Sequence, residues 1–161
     1  LLMSELIKRA LPVVSVITVR HPLDSYLSLL SNGWEEYFHP STLEEYARRY
    51  HLFLDTYPDV RIFKYEAFVE NPEQLMMELC GELRLPFGSL ALDNFSAVTL
   101  SGDSGRSSGK IETRERRAIP DKLYAELRRS TNYRDLCRRP SYPPEGLQTN
   151  EIENVPSGRE L

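Results

Sequence analysis

Residues 13–28 constrain the fold of this chain more than any other stretch. The apolar run over residues 13–19 is rich in β-branched side chains and ends at Arg20. Pro22 follows two residues later, and a pattern of polar and apolar residues with helical period begins there. The stretch therefore predicts a buried strand, a turn and a helix in succession.

The turn between this strand and helix predicts an anion site. In an open α/β sheet, ligands bind beyond the carboxyl ends of the strands, which is the expected position of Arg20. Pro22 suits the first helical position, and the amino end of the helix offers N–H groups and a partial positive charge. Asp24 and Ser28 lie one turn apart on one helix face. These groups are suited to binding a phosphate. The sequence is equally consistent with Arg20 as a surface charge, Asp24 as an acid that stabilises the start of the helix, and Ser28 as an ordinary helical serine.

Helices and one further strand are predicted along the rest of the chain. The aromatic residues Trp34, Tyr37 and Phe38 fall between two helices, where they either line a pocket for a second substrate or serve as packing. Turn and cap residues separate the elements. The expected elements are helices over residues 1–11, 22–32, 42–57, 72–84 and 121–130, a strand over residues 60–65, and a final helical turn over residues 133–137.

The composition predicts a soluble cytoplasmic protein of one domain. The chain has 161 residues, of which 40% are hydrophobic and 27% are charged. No apolar run approaches the length of a membrane span, and Glu5, Lys8 and Arg9 interrupt the apolar start in a way that a signal peptide would not. Cys80 and Cys137 lie in helical patterns without metal-ligand spacing, so we expect reduced core residues.

The charge is distributed unevenly along the chain. Residues 106–139 hold eleven Lys or Arg and five Asp or Glu, a local charge of +6 in a chain whose net charge is −4. Such a basic segment suggests either a bound anion or a solvated helix face. Nucleic acid is not the expected anion, because Tyr124 and Tyr133 are the only aromatic residues in the segment and form no evident stacking platform.

Two segments resemble one known family. The pattern Arg20-x-Pro22-x-Asp24-x-x-x-Ser28 after a hydrophobic strand resembles the 3'-phosphate-binding motif of the sulfotransferases that use 3'-phosphoadenosine 5'-phosphosulfate (PAPS). Residues 60–87 resemble the segment that follows in that family: a strand ending in Tyr-Glu, a short helix, Asn-Pro, a helix and Leu-Pro-Phe. The resemblance covers residues 1–139 and corresponds to the carboxyl-terminal two thirds of a sulfotransferase domain. Residues 140–161 are expected to form a flexible tail.

The resemblance implies a fold and an activity. The fold is a three-layer α/β architecture with a parallel sheet, like that of the P-loop nucleotide hydrolases, of which this chain supplies the later strands. The activity is transfer of a sulfuryl group from PAPS to an acceptor hydroxyl or amine, without a metal. Arg20 and Ser28 would hold the 3'-phosphate, and Tyr65 would contact the adenine. A basic loop of the family closes over the nucleotide, and the candidate phosphate contacts there are Ser104, Gly105, Arg106 and Ser107.

Two parts of the family's site have no match in this sequence. The loop that binds the 5'-phosphosulfate and the histidine that serves as base would both precede Arg20, but the nineteen residues before it contain no glycine and no histidine. His21 could hydrogen-bond the ligand or cap the helix, and His39 and His51 are expected to be structural. The catalytic residues, the acceptor and the oligomeric state stay open. The alternative is a non-catalytic relative that binds the nucleotide or a partner chain without turnover.

Overall fold

The computed structural model describes residues 9–10, 13–89, 92, 111–113 and 115–144. The chain forms two compact units, one of Leu1–Arg20 with Asp59–Glu115 and the other of His21–Pro58 with Arg116–Leu161. The described elements are, in chain order, β1 (Val16–Val19), α1 (Pro22–Ser31), a 3-10 helix (Trp34–Tyr37), α2 (Leu43–Thr56), β2 (Arg61–Lys64), α3 (Tyr65–Glu70), α4 (Pro72–Leu83), α5 (Asp121–Arg129) and α6 (Thr131–Arg138). The helix predicted over residues 1–11 falls almost entirely outside the described residues.

The first unit contains a two-stranded parallel sheet followed by two helices. β1 pairs with β2 in a register that places Val19 opposite Lys64. α3 begins directly at Tyr65, and Asn71 then starts α4 by accepting a hydrogen bond from the Gln74 N–H at 3.2 Å. The fold is thus mixed helix and strand with a small parallel sheet. Its buried hydrophobic residues, among those that the structure describes, are Ile17, Val19 and Phe63.

The second unit is helical and has a larger core. α2 packs against α1, α5 and α6. Eleven fully or nearly fully buried side chains, all in these four helices, fill the space between them: Leu23, Tyr26, Leu27, Leu43, Ala47, Leu54, Leu123, Leu127, Tyr133, Leu136 and Cys137. Within each helix these positions are mostly three, four or seven residues apart and so lie on one face, which is why the helices can be predicted from the sequence.

Polar side chains also join the helices of the second unit. A carboxylate oxygen of Glu126 on α5 accepts a hydrogen bond from the backbone N–H of Leu43 at 2.9 Å, which caps the start of α2. The Glu44 carboxylate accepts hydrogen bonds from the Ser130 hydroxyl and, at 2.6 Å, from the Asn132 amide. α2 is therefore attached to α5 and α6 by directional bonds as well as by apolar packing.

The first residues after α6 are still in contact with the rest of the second unit. Ser141 has a φ of 57°, in the left-handed region, and Tyr142 beyond it is buried. The domain boundary at residue 140 stays a prediction, but Tyr142 packs within the second unit, while Ser141 and Pro143 on either side of it are exposed. Residues 145–161 lie outside the described part of the chain.

Both cysteines are free, as predicted. Cys137 is buried in the core, whereas Cys80 on α4 is only half-buried, so the core assignment is right for Cys137 alone. No helix among the described residues is long and apolar enough to cross a lipid bilayer.

Candidate functional site

Arg20 and Tyr65 lie together at the carboxyl edge of the sheet. Because Val19 is opposite Lys64, the next residue of each strand reaches the same edge. The guanidinium carbon of Arg20 lies 5.2 Å from the centroid of the Tyr65 ring, a cation–π distance. Both side chains are half-buried. The structure therefore brings together two of the candidate nucleotide contacts of the first unit, Arg20 and Tyr65.

Arg20 and Arg61 both stack on an aromatic ring in the described part of the first unit, but only Arg61 also pairs with carboxylates there. The Arg61 guanidinium lies 5.0 Å from the Phe63 ring centroid, and its nitrogens also lie 3.2 Å from the carboxylates of Glu78 and Glu82. No hydrogen bond or ion pair of the Arg20 side chain occurs within the described residues. The five N–H donors of Arg20 are thus held near a tyrosine face, with no carboxylate partner in the part of the chain that the structure describes, which suits capture of an anion.

Ser28 is located in the second unit, in the second turn of α1. It is half-buried, and its hydroxyl forms no hydrogen bond within the part of the chain that the structure describes. Its hydroxyl is chemically suited to a phosphate oxygen. Arg20 belongs to the first unit and Ser28 to the second. The position and contacts of each residue are therefore described only within its own unit.

The amino end of α1 offers fewer donors than the sequence suggests. Nδ1 of His21 accepts a hydrogen bond from the Leu23 N–H at 3.2 Å, and Pro22 has no N–H group. The Ser25 N–H donates to the carbonyl oxygen of His21 at 3.0 Å. His21 therefore caps the helix, which is one of the two roles predicted for it, and the Leu23 N–H is not available to an anion. Any phosphate bound there depends mainly on side chains.

Asp24 is bound by an arginine that the sequence did not indicate. Nε of Arg116 lies 2.6 Å from Oδ1 of Asp24, and Nη2 lies 3.2 Å from Oδ2, a bidentate pair between residues 92 positions apart. The side chains are 23% and 14% exposed, so the pair is shielded from water. Asp24 therefore stabilises the second unit, which is one of the alternatives that its position allowed.

Half of the basic side chains that the structure describes in residues 106–139 bind other residues of the second unit. Besides Arg116, these are Arg117 with the Ser31 hydroxyl, Arg138 with Asp135 at 2.9 Å, and Arg139 with Asp55 at 2.7 Å. The side chains of Lys122, Arg128, Arg129 and Arg134 have no such contact among the described residues. The segment is thus structural only in part. The candidate contacts Ser104, Gly105, Arg106 and Ser107 lie outside the described residues.

The aromatic stretch after α1 divides into surface and packed residues. Trp34 is 48% exposed and Tyr37 81% exposed, while Phe38 is buried. The Arg49 guanidinium covers the Phe38 ring at 5.4 Å. Phe38 is therefore a packing residue, and the role of the other two stays a prediction.

Titratable groups with shifted pKa values in the second unit are structural. Burial raises the pKa of Tyr26 to about 12, with Glu126 and Glu35 adding to it, and raises the pKa of Cys137 to about 11. His51 donates from Nε2 to the Asn132 carbonyl at 3.0 Å, as expected of a structural histidine. The described residues contain no group of three or more His, Cys, Asp or Glu side chains that could hold a metal ion. A catalytic base is still unassigned.

No family model matches the sequence, and no curated protein or solved structure matches it.

Proposed function

We propose that this protein belongs to the PAPS-dependent sulfotransferases. It would transfer a sulfuryl group from PAPS to an acceptor hydroxyl or amine and release adenosine 3',5'-bisphosphate. The proposal includes a three-layer, P-loop-like architecture, to which residues 1–139 contribute the later part. It rests on the motif of residues 20–28, on the segment of residues 60–87, and on the contacts of Arg20.

The single observation that carries the proposal is the state of Arg20. This arginine is half-buried over the Tyr65 ring and has no carboxylate partner within the described residues. An unpaired cation that is partly removed from water loses solvation, and a phosphate can restore that loss through bidentate hydrogen bonds. Ring stacking also limits the rotamers of the side chain, so less entropy is lost on binding.

Tyr65 and Ser28 would complete the nucleotide contacts. Tyr65 would contact the adenine as well as orient Arg20, and Ser28 would donate its hydroxyl to the 3'-phosphate. Because His21 already occupies the start of α1, the affinity for the 3'-phosphate is assigned to these side chains rather than to the helix dipole. Hydrogen bonds to charged groups contribute about 1.5–3 kcal/mol each, so one such residue accounts for roughly ten- to hundredfold in affinity.

The experiment compares two nucleotides by titration calorimetry. Adenosine 3',5'-bisphosphate is expected to bind at least about tenfold more tightly than adenosine 5'-monophosphate, because the monophosphate lacks the group assigned to Arg20 and Ser28. Ser28→Ala is expected to narrow this difference without changing affinity for the monophosphate. Equal affinity of the wild-type chain for both nucleotides would contradict the proposal.

The second candidate function is nucleotide binding without turnover. It is favoured by the roles of two of the three described histidines, since His21 caps α1 and His51 binds a backbone carbonyl, which leaves only the exposed His39 without an assigned structural contact. Incubation with PAPS labelled in its sulfuryl group and a panel of phenols, amines and oligosaccharides separates the two. Labelled acceptor together with bisphosphate release indicates the enzyme, whereas tight bisphosphate binding without transfer favours the non-catalytic relative.

A further inference from the structure

The segment after α6 returns to the start of α1. At the end of α6, the Ser141 N–H donates to the Arg138 carbonyl at 3.0 Å, and the Tyr142 N–H donates to the Cys137 carbonyl at 2.7 Å. With Ser141 in the left-handed region, these two bonds form a Schellman motif. The motif reverses the chain and buries Tyr142, which is 8% exposed. We refer to residues 141–143 as the strap.

The strap holds the ring of His21. Nε2 of His21 lies 2.9 Å from the carbonyl oxygen of Pro143, and the ring centroid lies 5.1 Å from that of Tyr142. Nδ1 accepts the hydrogen bond from the Leu23 N–H at 3.2 Å, and the residue is only 3% exposed. A carbonyl oxygen can only accept, so Nε2 carries the proton, and Nδ1 is then free of a proton and able to cap the helix.

We propose that His21 is a positioning residue, and that the strap selects the one His21 tautomer able to cap α1. Since His21 begins the helix that carries Ser28, the cap would order this helix for the bound nucleotide. This step rests on the proposed function. By linkage, nucleotide binding would in turn stabilise the strap.

The test removes the strap contact in two backgrounds. Tyr142→Ala is made in the wild-type chain and in His21→Asn, because the asparagine carbonyl oxygen can cap α1 without any choice of tautomer. Hydrogen exchange of the Leu23 amide reports the cap, and calorimetric titration of adenosine 3',5'-bisphosphate reports the site. Tyr142→Phe keeps the ring and serves as the matched control. Tyr142→Leu replaces Tyr142→Ala should the alanine variant fail to fold.

The proposal predicts that the effect of residue 142 depends on residue 21. With His21 present, Tyr142→Ala speeds exchange of the Leu23 amide and weakens nucleotide binding about fivefold, the usual size of a lost helix cap. In the His21→Asn background, the same change leaves both quantities within about twofold, because the asparagine cap does not depend on the strap. Equal effects of Tyr142→Ala in the two backgrounds would overturn the proposal, since packing of Tyr142 against residues other than His21 would act alike in both.

The outcomes separate this inference from the proposed function. If the wild-type chain does not bind adenosine 3',5'-bisphosphate, the proposed function fails, while the exchange of the Leu23 amide still tests whether the strap controls the cap. If the nucleotide binds the wild-type chain and the Tyr142→Ala variant equally, the positioning role is overturned and the proposed function stands.

Discussion

The two units of this protein differ in how completely they bury their own residues. Among the described residues, thirteen hydrophobic side chains are buried in the helical second unit, against Ile17, Val19 and Phe63 in the first. α4 in the first unit has no buried residue at all. The helices of the second unit can satisfy one another, whereas a two-stranded parallel sheet has too little surface to form a core.

The second unit also contains an ion pair that is better shielded from water than the described ion pairs of the first unit. The second unit contains the shielded bidentate pair of Asp24 with Arg116, while Arg61 in the first unit pairs with glutamates that are 42% and 35% exposed. Arg20, which carries the proposed function, belongs to the sparsely packed unit. The comparison indicates that, among the described residues, the better-shielded packing and ion pairing lie in the helical unit, whereas Arg20, to which the proposal assigns the phosphate, lies in the other.

The largest expected effect comes from comparing a buried residue of the second unit with a partly exposed strand residue of the first. Leu127→Ala removes a fully buried side chain between α2 and α5, so the free energy of unfolding should fall by about 2–5 kcal/mol. Ile62→Ala in β2, where the side chain is 40% exposed, should cost less than about 1 kcal/mol. Urea unfolding followed by circular dichroism measures both. Equal losses would show that the first unit is as tightly packed as the second.

An intermediate effect is expected for the shielded ion pair. Asp24→Asn leaves Arg116 partly buried without its carboxylate, and should lower the free energy of unfolding by about 1–3 kcal/mol. Asp135→Asn is the matched control, because its pair with Arg138 is 60% exposed on the aspartate side and should be worth less than about 0.5 kcal/mol. A similar, small loss in both variants would mean that Asp24 does not anchor Arg116.

The smallest effect concerns two residues with positive φ. Ser141 lies in the turn after α6, and Arg84 directly follows α4. Each has a φ of 57°, which glycine adopts without strain. Ser141→Gly should raise the free energy of unfolding by about 0.5–1 kcal/mol and so raise the thermal midpoint of the second unit. Arg84→Gly should instead slow hydrogen exchange in α4 and leave that midpoint unchanged. A midpoint that rises equally in both variants would argue against separate units.

Local signals in the sequence predicted most helices but not the contacts between them. Pro22 and Pro72 marked the starts of two helices, and both helices have the expected extent to within about one residue. The first strand is shorter than predicted, because β1 pairs only along the four residues of β2. Tyr65 begins a helix rather than ending the strand. Apolar periodicity defines an element, but pairing decides where a strand ends.

The candidate site was also predictable only in part, because contacts between residues far apart in the chain leave no local pattern in the sequence. Two residues that each follow a parallel strand share one sheet edge, so the proximity of Arg20 and Tyr65 follows from pattern and topology. The pair of Asp24 with Arg116 spans 92 positions and has no local signal. Ser141 occupies a position after α6 with a positive φ, where glycine is usual. Because no glycine marks this turn, the strap could not be distinguished from a flexible tail by composition.

The central claim is that Arg20, and not arginines in general, binds the 3'-phosphate. Arg61 is the matched control, since it also stacks on a ring but is neutralised by two glutamates. Calorimetric titration of adenosine 3',5'-bisphosphate into the wild-type chain, Arg20→Ala and Arg61→Ala tests the claim directly. The account predicts at least about a tenfold loss of affinity for Arg20→Ala and less than about threefold for Arg61→Ala. Equal losses, or undiminished binding by Arg20→Ala, would contradict it.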